Sequence, residues 1–311
     1  MKKIVFLDEY SIAGRDLTSI TSQGDYTAYE NTAKEQVVER LQGAEIAITN
    51  KVLIDGEAMR QLPDLKLICV AATGMNNVDL VTAKELGIEV KNAVGYSTTS
   101  VAETTLASAL ALARNVVYFD EYFHDGRYSK ADRAFCYDRL TFQISGKKWG
   151  IIGLGNIGRE VARLASAFGC EVRYFSTSGA KREEAYPAME LDELLQWSDI
   201  VSVHSPLNER TRGLVGRREL QLMKPTSLII NVARGGIIDE AALAEALDNG
   251  WVAAAALDVF SVEPLRESPL YNIKDRYRLL ASPHNAWSAA EAIDRLIDCV
   301  AENIRTWLEG K

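Results

Sequence analysis

Cysteine is scarce and scattered in this chain. Cys69, Cys136, Cys170 and Cys299 form no CxxC pair and share no ligand spacing with a histidine. Neither a disulfide framework nor a structural metal is expected, and four reduced thiols are. Basic runs are missing as well. Lys and Arg number 35 against 43 Asp and Glu, a formal charge of -8, so nucleic acid and anionic membranes are not expected partners. No apolar stretch approaches the span of a bilayer, and the opening MKKIVFLDEY has too short an apolar core for a signal peptide. A cytoplasmic protein is the expectation. Solenoid repeats and low-complexity tracts are absent too. What is present is an ordinary globular composition, 47% hydrophobic and 25% charged, over 311 residues, enough for two domains with a core each.

Short apolar runs alternate with amphipathic ones from the start: KIVFLD, YTAYE, the helical TAKEQVVERL, EIAITN, KLICVAA and finally ELGIEVKNA near residue 93. A parallel crossover needs a connection of helical length, so this alternation predicts a parallel sheet covered by helices. STTSVAETTLASALALARN, residues 97–115, reads as one long helix with Ser100 as a candidate N-cap and Glu103 three residues later. It serves either as a core helix or as one linking domains or lining a dimer interface. Residues 120–142 mix aromatics with charges without periodicity and read as a loop or arm. Beyond them six strands are expected, at WGII, 171–176, DIVSVH, SLIINVA, AAALDVF and LLASPH, the number a full dinucleotide-binding sheet uses. The last segment, EAIDRLIDCVAENIRTWLE, has helical spacing and is a candidate to return to the first domain.

The second half is organised around KKWGIIGLGNIG at 147–158. An apolar strand runs into Gly153, Gly155 and Gly158, with Asn156 and Ile157 opening the helix REVARLASAFG, and a second strand follows from Cys170. Gly153 permits the turn, Gly155 the approach of backbone N–H groups to a pyrophosphate, and Gly158 close packing of helix on strand. A helix N-terminus then offers unpaired donors to the phosphates. A cofactor with a free ribose 2′-hydroxyl calls for a carboxylate at the end of the second strand. That place holds Ser176, Thr177 and Ser178 instead, with Lys181 and Arg182 just beyond. Hydroxyls and cations suit a 2′-phosphate, so NAD(P)H is expected with a lean to NADP(H). The alternative is a solvated Lys181–Arg182 loop and less selective use of NADH.

Arg234, Glu263 and His284 each follow a strand of the second half, and ligands of open α/β sheets bind beyond the carboxyl ends of the strands. Reduction of a 2-keto acid needs a permanent cation for carboxylate and carbonyl, which Arg provides. It also needs a proton donor that titrates near neutrality, which His provides, oriented by a carboxylate. Singly, each residue has a bland alternative: a loop Arg, a helix-start Glu, a buried imidazole. His124 reads as a surface residue and His204 as structural. Trp287 suits a substrate pocket and a core or interface position equally.

GLGNIG at 153–158, HSPLNERTRGL at 204–214, NVARGGIIDE at 231–240, ALDVFSVEP at 256–264 and SPHNAW at 282–287 together resemble the D-isomer-specific 2-hydroxyacid dehydrogenases over nearly the whole chain. The resemblance implies two Rossmann-like α/β domains: a doubly wound parallel dinucleotide-binding domain over 99–286, and a smaller, discontinuous, flavodoxin-like substrate domain over 1–98 and 287–311. It implies that Arg234 binds and polarises the substrate, that His284 is the general acid/base and that Glu263 pairs with it. Asp258 and the Ala233 backbone are placed at the nicotinamide end, with Pro206 and Thr211 along the cofactor. AATGMNNVD at 71–79 is similar to the substrate loop, whose N–H groups at Thr73 and Gly74 meet the carboxylate. Such proteins are usually homodimers. YSTTSVAE together with HNAW is similar to glycerate dehydrogenases, which act as hydroxypyruvate or glyoxylate reductases. Ser176, where many members carry Asp, departs from the pattern. A rival from another class is a nicotinamide-sensing, corepressor-like binding protein on the same fold.

Overall fold

The structure, a computed structural model, describes residues 1–179 and 185–310. The chain divides into two compact units, one made of Met1–Ser97 and Ser288–Lys311, the other of Thr98–Trp287.

The first unit is a five-stranded parallel sheet. Its strands are β1 (Lys3–Phe6), β2 (Asp25–Ala28), β3 (Ile46–Thr49), β4 (Leu67–Val70) and β5 (Glu89–Asn92), in the order β2-β1-β3-β4-β5. Helices α1 (Thr18–Thr21), α2 (Val37–Leu41), α3 (Gly56–Arg60) and α4 (Leu80–Glu85) form the crossovers. Every residue of IAIT in β3 and LICV in β4 is buried, as parallel strands covered on both faces require. The edge strands DYTA and EVKN have no buried residue, and there polar residues are tolerated. At the carboxyl end of β1 the buried Asp8 carboxylate accepts the N–H groups of Asn50, Lys51 and Val52 at 2.8, 2.6 and 3.3 Å. Burial raises its pKa, against the pull of those three bonds. It fixes the turn that follows β3.

The second unit opens with α5 (Thr98–Ala113) and α6 (Val116–His124). Six parallel strands follow: β6 (Lys148–Ile152), β7 (Glu171–Phe175), β8 (Ile200–Val203), β9 (Leu228–Asn231), β10 (Ala254–Leu257) and β11 (Leu279–Ala281), in the order β11-β10-β9-β8-β6-β7. A parallel bridge from Tyr174 to Ala188 extends the sheet beyond β7. The intervening helices are α7 (Asn156–Ala167), α8 (Leu191–Trp197), α9 (Arg217–Leu222) and α10 (Glu240–Asn249). Successive side chains of β6 go to opposite layers. Trp149 and Ile151 join the cluster with Leu106, Ala109 and Val161, while Ile152 joins Leu194, Val201 and Leu243. The alanines of α5 let it lie against α7, β9 and β10. The strand order reverses at β6, which places the glycine turn at the switch point of the sheet. A final helix, α11 (Ala290–Glu309), belongs to the first unit. There it buries Ile293, Leu296, Val300 and Ile304, and Asn303 donates to the Asn92 carbonyl at 3.1 Å.

Two local expectations need correction. Ser100 lies inside α5, which begins at Thr98, and its hydroxyl donates to the Ala286 carbonyl at 2.6 Å rather than capping a helix. The segment read as irregular from residue 120 is helical as far as His124, with a further 3-10 turn at Tyr128–Lys130. Tyr118 anchors this stretch. It packs edge-on against Tyr277, and the Arg127 and Arg139 guanidiniums lie over its ring. Arginine–aromatic stacking from residues distant in sequence supplied an order that periodicity does not register. The four cysteines are free thiols. Burial pushes Cys69 up to about 12 and Cys170 up to about 11, so neither is a thiolate at neutral pH.

One polar chain crosses the core. The Trp149 indole donates to Ser202 Oγ at 2.9 Å, and Ser202 Oγ lies 2.9 Å from His204 Nε2. Burial pushes His204 down to about 3, so the ring is neutral at physiological pH. The unfolded chain therefore binds a proton that the native protein refuses as pH falls from 6.5 towards about 3, and stability falls with it. Between about pH 7.5 and pH 5.5 the wild type should lose roughly 1.4 kcal/mol more unfolding free energy than a His204→Asn variant. Parallel urea titrations at the two pH values check this, and equal losses would remove His204 from the acid response. The comparison cancels the opposite contribution of Asp8, whose raised pKa favours the native state as pH falls.

Candidate functional site

The carboxyl edge of the second sheet carries the candidate residues. Gly153, at φ +93, turns the chain beside Ser205, whose Cβ and N would both lie 3.0 Å from a Cβ at this position. A Cβ on Gly158 would stand 2.3 Å from the Gly153 carbonyl oxygen, so only glycine lets α7 start this close to β6. Gly155 is different. A Cβ there meets no atom within 4 Å and would project into open space. Gly155 and Asn156 are exposed, Ile157 packs on the core, and no side chain caps α7. Its first-turn N–H groups are left as donors.

A cavity of about 230 Å³ joins these glycines to the end of β7, lined by Gly153, Gly155, Ser176, Thr177, Ser178 and Pro206, among others. His204 Nδ1 and Ser205 Oγ, on the same wall, are buried and have no hydrogen-bond partner among the described residues. Glycines without a capping side chain, hydroxyls after the second strand and unspent buried polar atoms fit a dinucleotide with its pyrophosphate on α7 and its ribose beside Ser176. Thr211 is fully buried, and its hydroxyl donates to the Pro206 carbonyl at 2.6 Å and accepts from Asn208 N at 2.8 Å. Any contribution of Thr211 to a cofactor therefore comes through the shape of the loop that presents Pro206. Lys181 and Arg182 lie outside the described residues.

His284 follows β11 in the left-handed region at φ +57, a conformation that costs about 1–3 kcal/mol for a non-glycine residue. The buried Asp258 holds it there. Its backbone carbonyl accepts His284 N at 2.7 Å, while its carboxylate accepts Ser282 Oγ at 2.5 Å, Asn285 N at 2.8 Å and Ala286 N at 2.9 Å. Glu263 Oε2 lies 2.6 Å from His284 Nδ1, and Oε1 accepts Phe260 N at 2.9 Å. A carboxylate on Nδ1 fixes the proton there and leaves Nε2 as the reactive nitrogen.

Arg234 stands on the loop after β9. Asn231, the last residue of that strand, donates through Nδ2 to the Arg234 carbonyl at 2.9 Å and accepts Ala233 N at 3.0 Å. Arg234 Nη1 donates to the Ala233 carbonyl at 2.7 Å. Both Ala233 backbone groups thus have protein partners, and its carbonyl keeps one lone pair. The neighbouring Gly235 is pressed on the Phe260–Ser261 peptide, where a Cβ would lie 1.9 Å from the Phe260 carbonyl. The loops of Arg234 and Glu263 are in contact through this glycine. Trp287 packs on the core of the second unit with Ala286.

In the first unit, Thr73 Oγ1 donates to the Ala93 carbonyl at 3.0 Å, and Asn92 Nδ2 donates to the Thr73 carbonyl at 2.6 Å. The N–H groups of Thr73 and Gly74 have no partner among the described residues, which suits an anion.

Asn231, Gly235 and the anchoring part of Asp258 were not singled out as positioning residues from sequence. The motifs NVARGG and ALDVF contain them, but only three-dimensional contacts distinguish a residue that holds a loop from one that faces a ligand. Among the described residues no three His, Cys, Asp or Glu side chains cluster as metal ligands, and no helix is long and apolar enough to cross a membrane.

Residues 106–286 match the family described as D-isomer specific 2-hydroxyacid dehydrogenase, NAD binding domain. The chain is 38% identical to a glycerate dehydrogenase of Methylorubrum extorquens, covering 100% of this chain and 97% of the other. It is 36% identical to a hydroxypyruvate reductase of Blautia hydrogenotrophica, covering 99% and 97%. Among solved structures it is similar to an acyclic imino acid reductase in complex with NADPH and D-Arg, at a TM-score of 0.86 and 28% identity, covering 99% and 98%.

The glycine contacts separate folding from binding. Gly158→Ala should destabilise the protein by about 1–3 kcal/mol, because backbone meets backbone. Gly155→Ala should leave the melting temperature within about 2 °C while weakening NAD(P)H binding at least about tenfold. Thermal melts and cofactor titration by fluorescence read the two effects, and full affinity in Gly155→Ala would refute the cradle.

Proposed function

Because the chain belongs to the D-isomer-specific 2-hydroxyacid dehydrogenases, we propose that it reduces a small 2-keto acid, with hydroxypyruvate or glyoxylate favoured, to the D-2-hydroxy acid. The observation that carries the reading is the His284–Glu263 pair at 2.6 Å, next to a loop that presents Arg234. A dinucleotide held at the glycine turn by the first-turn N–H groups of α7 would supply the hydride. Arg234 binds the carboxylate and polarises the carbonyl oxygen with permanently charged donors. His284 Nε2 gives the proton to that oxygen, and Glu263 stabilises the protonated ring while holding its orientation. Asp258 and the Ala233 carbonyl are assigned to the nicotinamide end, and Trp287 to the substrate's side chain.

Hydroxyls at Ser176, Thr177 and Ser178 in place of a carboxylate favour NADP(H), and a structural relative has been solved with NADPH. Glycerate and hydroxypyruvate are the substrates named for relatives that span the whole chain. A homodimer is supported by the exposed large side chains Phe123, Phe135, Tyr137 and Leu140 on and after α6, which a second copy would cover.

Absorbance at 340 nm with hydroxypyruvate, glyoxylate, pyruvate and a branched 2-keto acid, each with NADH and NADPH, tests the reading. Oxidation with the first two should be fastest. His284→Gln should keep cofactor affinity and lose about 10²- to 10⁴-fold in kcat, and Arg234→Gln should lose about 10²- to 10³-fold in kcat/KM. Unchanged rates in either variant would remove that residue from the mechanism. No oxidation by folded protein that still binds cofactor would favour the sensing alternative. Sedimentation equilibrium should give twice the 34.3 kDa chain mass, and a single-chain mass would reject the dimer.

A further inference from the structure

The turn from Pro206 to Thr211 is locked from within. Asn208 Oδ1 accepts the N–H groups of Arg210 and Thr211 at 2.9 and 3.2 Å, and Thr211 Oγ1 closes the loop on the Pro206 carbonyl at 2.6 Å. Such a turn sets where the exposed Arg210 side chain starts. Its guanidinium then reaches across to the loop after β7, where Nη1 donates to the Ser178 carbonyl at 3.2 Å. Arg210 lines a cavity of about 810 Å³ together with Ser176, Thr177 and Gly179, and two of these, Ser176 and Thr177, also line the glycine cavity. The bond to Ser178 uses one of five guanidinium N–H groups. No carboxylate pairs with Arg210 among the described residues, although Glu190 and Glu193 line the same cavity. The next arginine, Arg212, lies instead near Gly236.

We infer that Arg210 is the specificity-determining cation for the adenosine ribose, binding a 2′-phosphate there and selecting NADPH over NADH. The inference rests on the dinucleotide reading above and adds to it a residue outside the strand-end segment that carries the hydroxyls. A phosphomonoester at the 2′ position presents three oxygens, which planar guanidinium donors match in pairs. Ser176 and Thr177 hydroxyls complete the shell. The carboxylates in the same cavity oppose a dianion, so the guanidinium must remain unneutralised to bind it, and tethering to a backbone carbonyl holds its place without spending its charge.

Calorimetric titration of the protein with adenosine 2′,5′-bisphosphate and with AMP isolates this contact from catalysis. The wild type should bind the bisphosphate at least about tenfold more tightly than AMP. Arg210→Ala should abolish most of that preference with AMP affinity held within about twofold, and Arg210→Lys should retain part of it. A preference that survives in Arg210→Ala, an equal loss for both ligands, or a wild type with no preference would each overturn the inference. In those cases NADH or NADPH still binds the wild type. Failure of folded wild type to bind either dinucleotide would instead overturn the dinucleotide reading, and this inference with it.

Discussion

The buried carboxylate of Asp258 is the anchor on which the reactive edge depends. It stands at the end of β10, collects three donors from Ser282, Asn285 and Ala286, and through its own carbonyl holds His284 N. A histidine at φ +57 does not stay there by preference. Four hydrogen bonds to one buried residue offset that strain and aim the imidazole at Glu263. A polar side chain at 2% exposure is costly unless its hydrogen bonds are satisfied, so the loop and the Asp258 side chain require each other. The pairing of His284 with Glu263 is the consequence.

Glycine contacts supply the second constraint. At Gly158 and Gly235 the backbone is approached by backbone, with no room for a Cβ. The first contact seats α7 on β6 and so sets the position of the donors at its N-terminus. The second seats the Arg234 loop on the Glu263 loop. A cation, a carboxylate and an imidazole come from three separate strand ends, and close packing fixes their spacing more firmly than long side chains would. Asn231 adds the local lock on the Arg234 backbone.

Much of this was legible in the sequence because parallel strands buried on both faces are written as continuous apolar runs. IAIT, LICV and IVSV all announce themselves in this way. The glycine motif was legible because its spacing has one mechanical meaning once a strand precedes it and a helix follows. Other features were hidden because their causes are distant in sequence. The helix over Val116–His124 is held by Tyr277, more than a hundred residues away. Ser100 looked like a cap, yet its partner is the carbonyl of Ala286. Thr211 and Asp258 were identifiable as motif residues, but not as residues whose side chains also hold loops together inside the protein. A motif shows that a residue matters at a place; the direction its hydrogen bonds take is a property of the fold.

The ribose end illustrates a limit of reading by absence. Serine at position 176 removes the carboxylate that would accept a 2′-hydroxyl and repel a 2′-phosphate. Removing repulsion creates no attraction, and three hydroxyls in partly solvated surroundings are weak ligands for a dianion beside Glu190 and Glu193. Discrimination in favour of phosphate therefore requires a cation held at the turn. Lys181 and Arg182 lie outside the described residues, and among those described it is Arg210 that is brought to the Ser178 carbonyl, from the loop after β8. A tethered guanidinium has already given up part of its conformational freedom before any ligand arrives, which lowers the entropic cost of binding. Preorganisation of that kind comes from the switch point of the sheet, where the turns after β7 and β8 flank the glycine motif of β6.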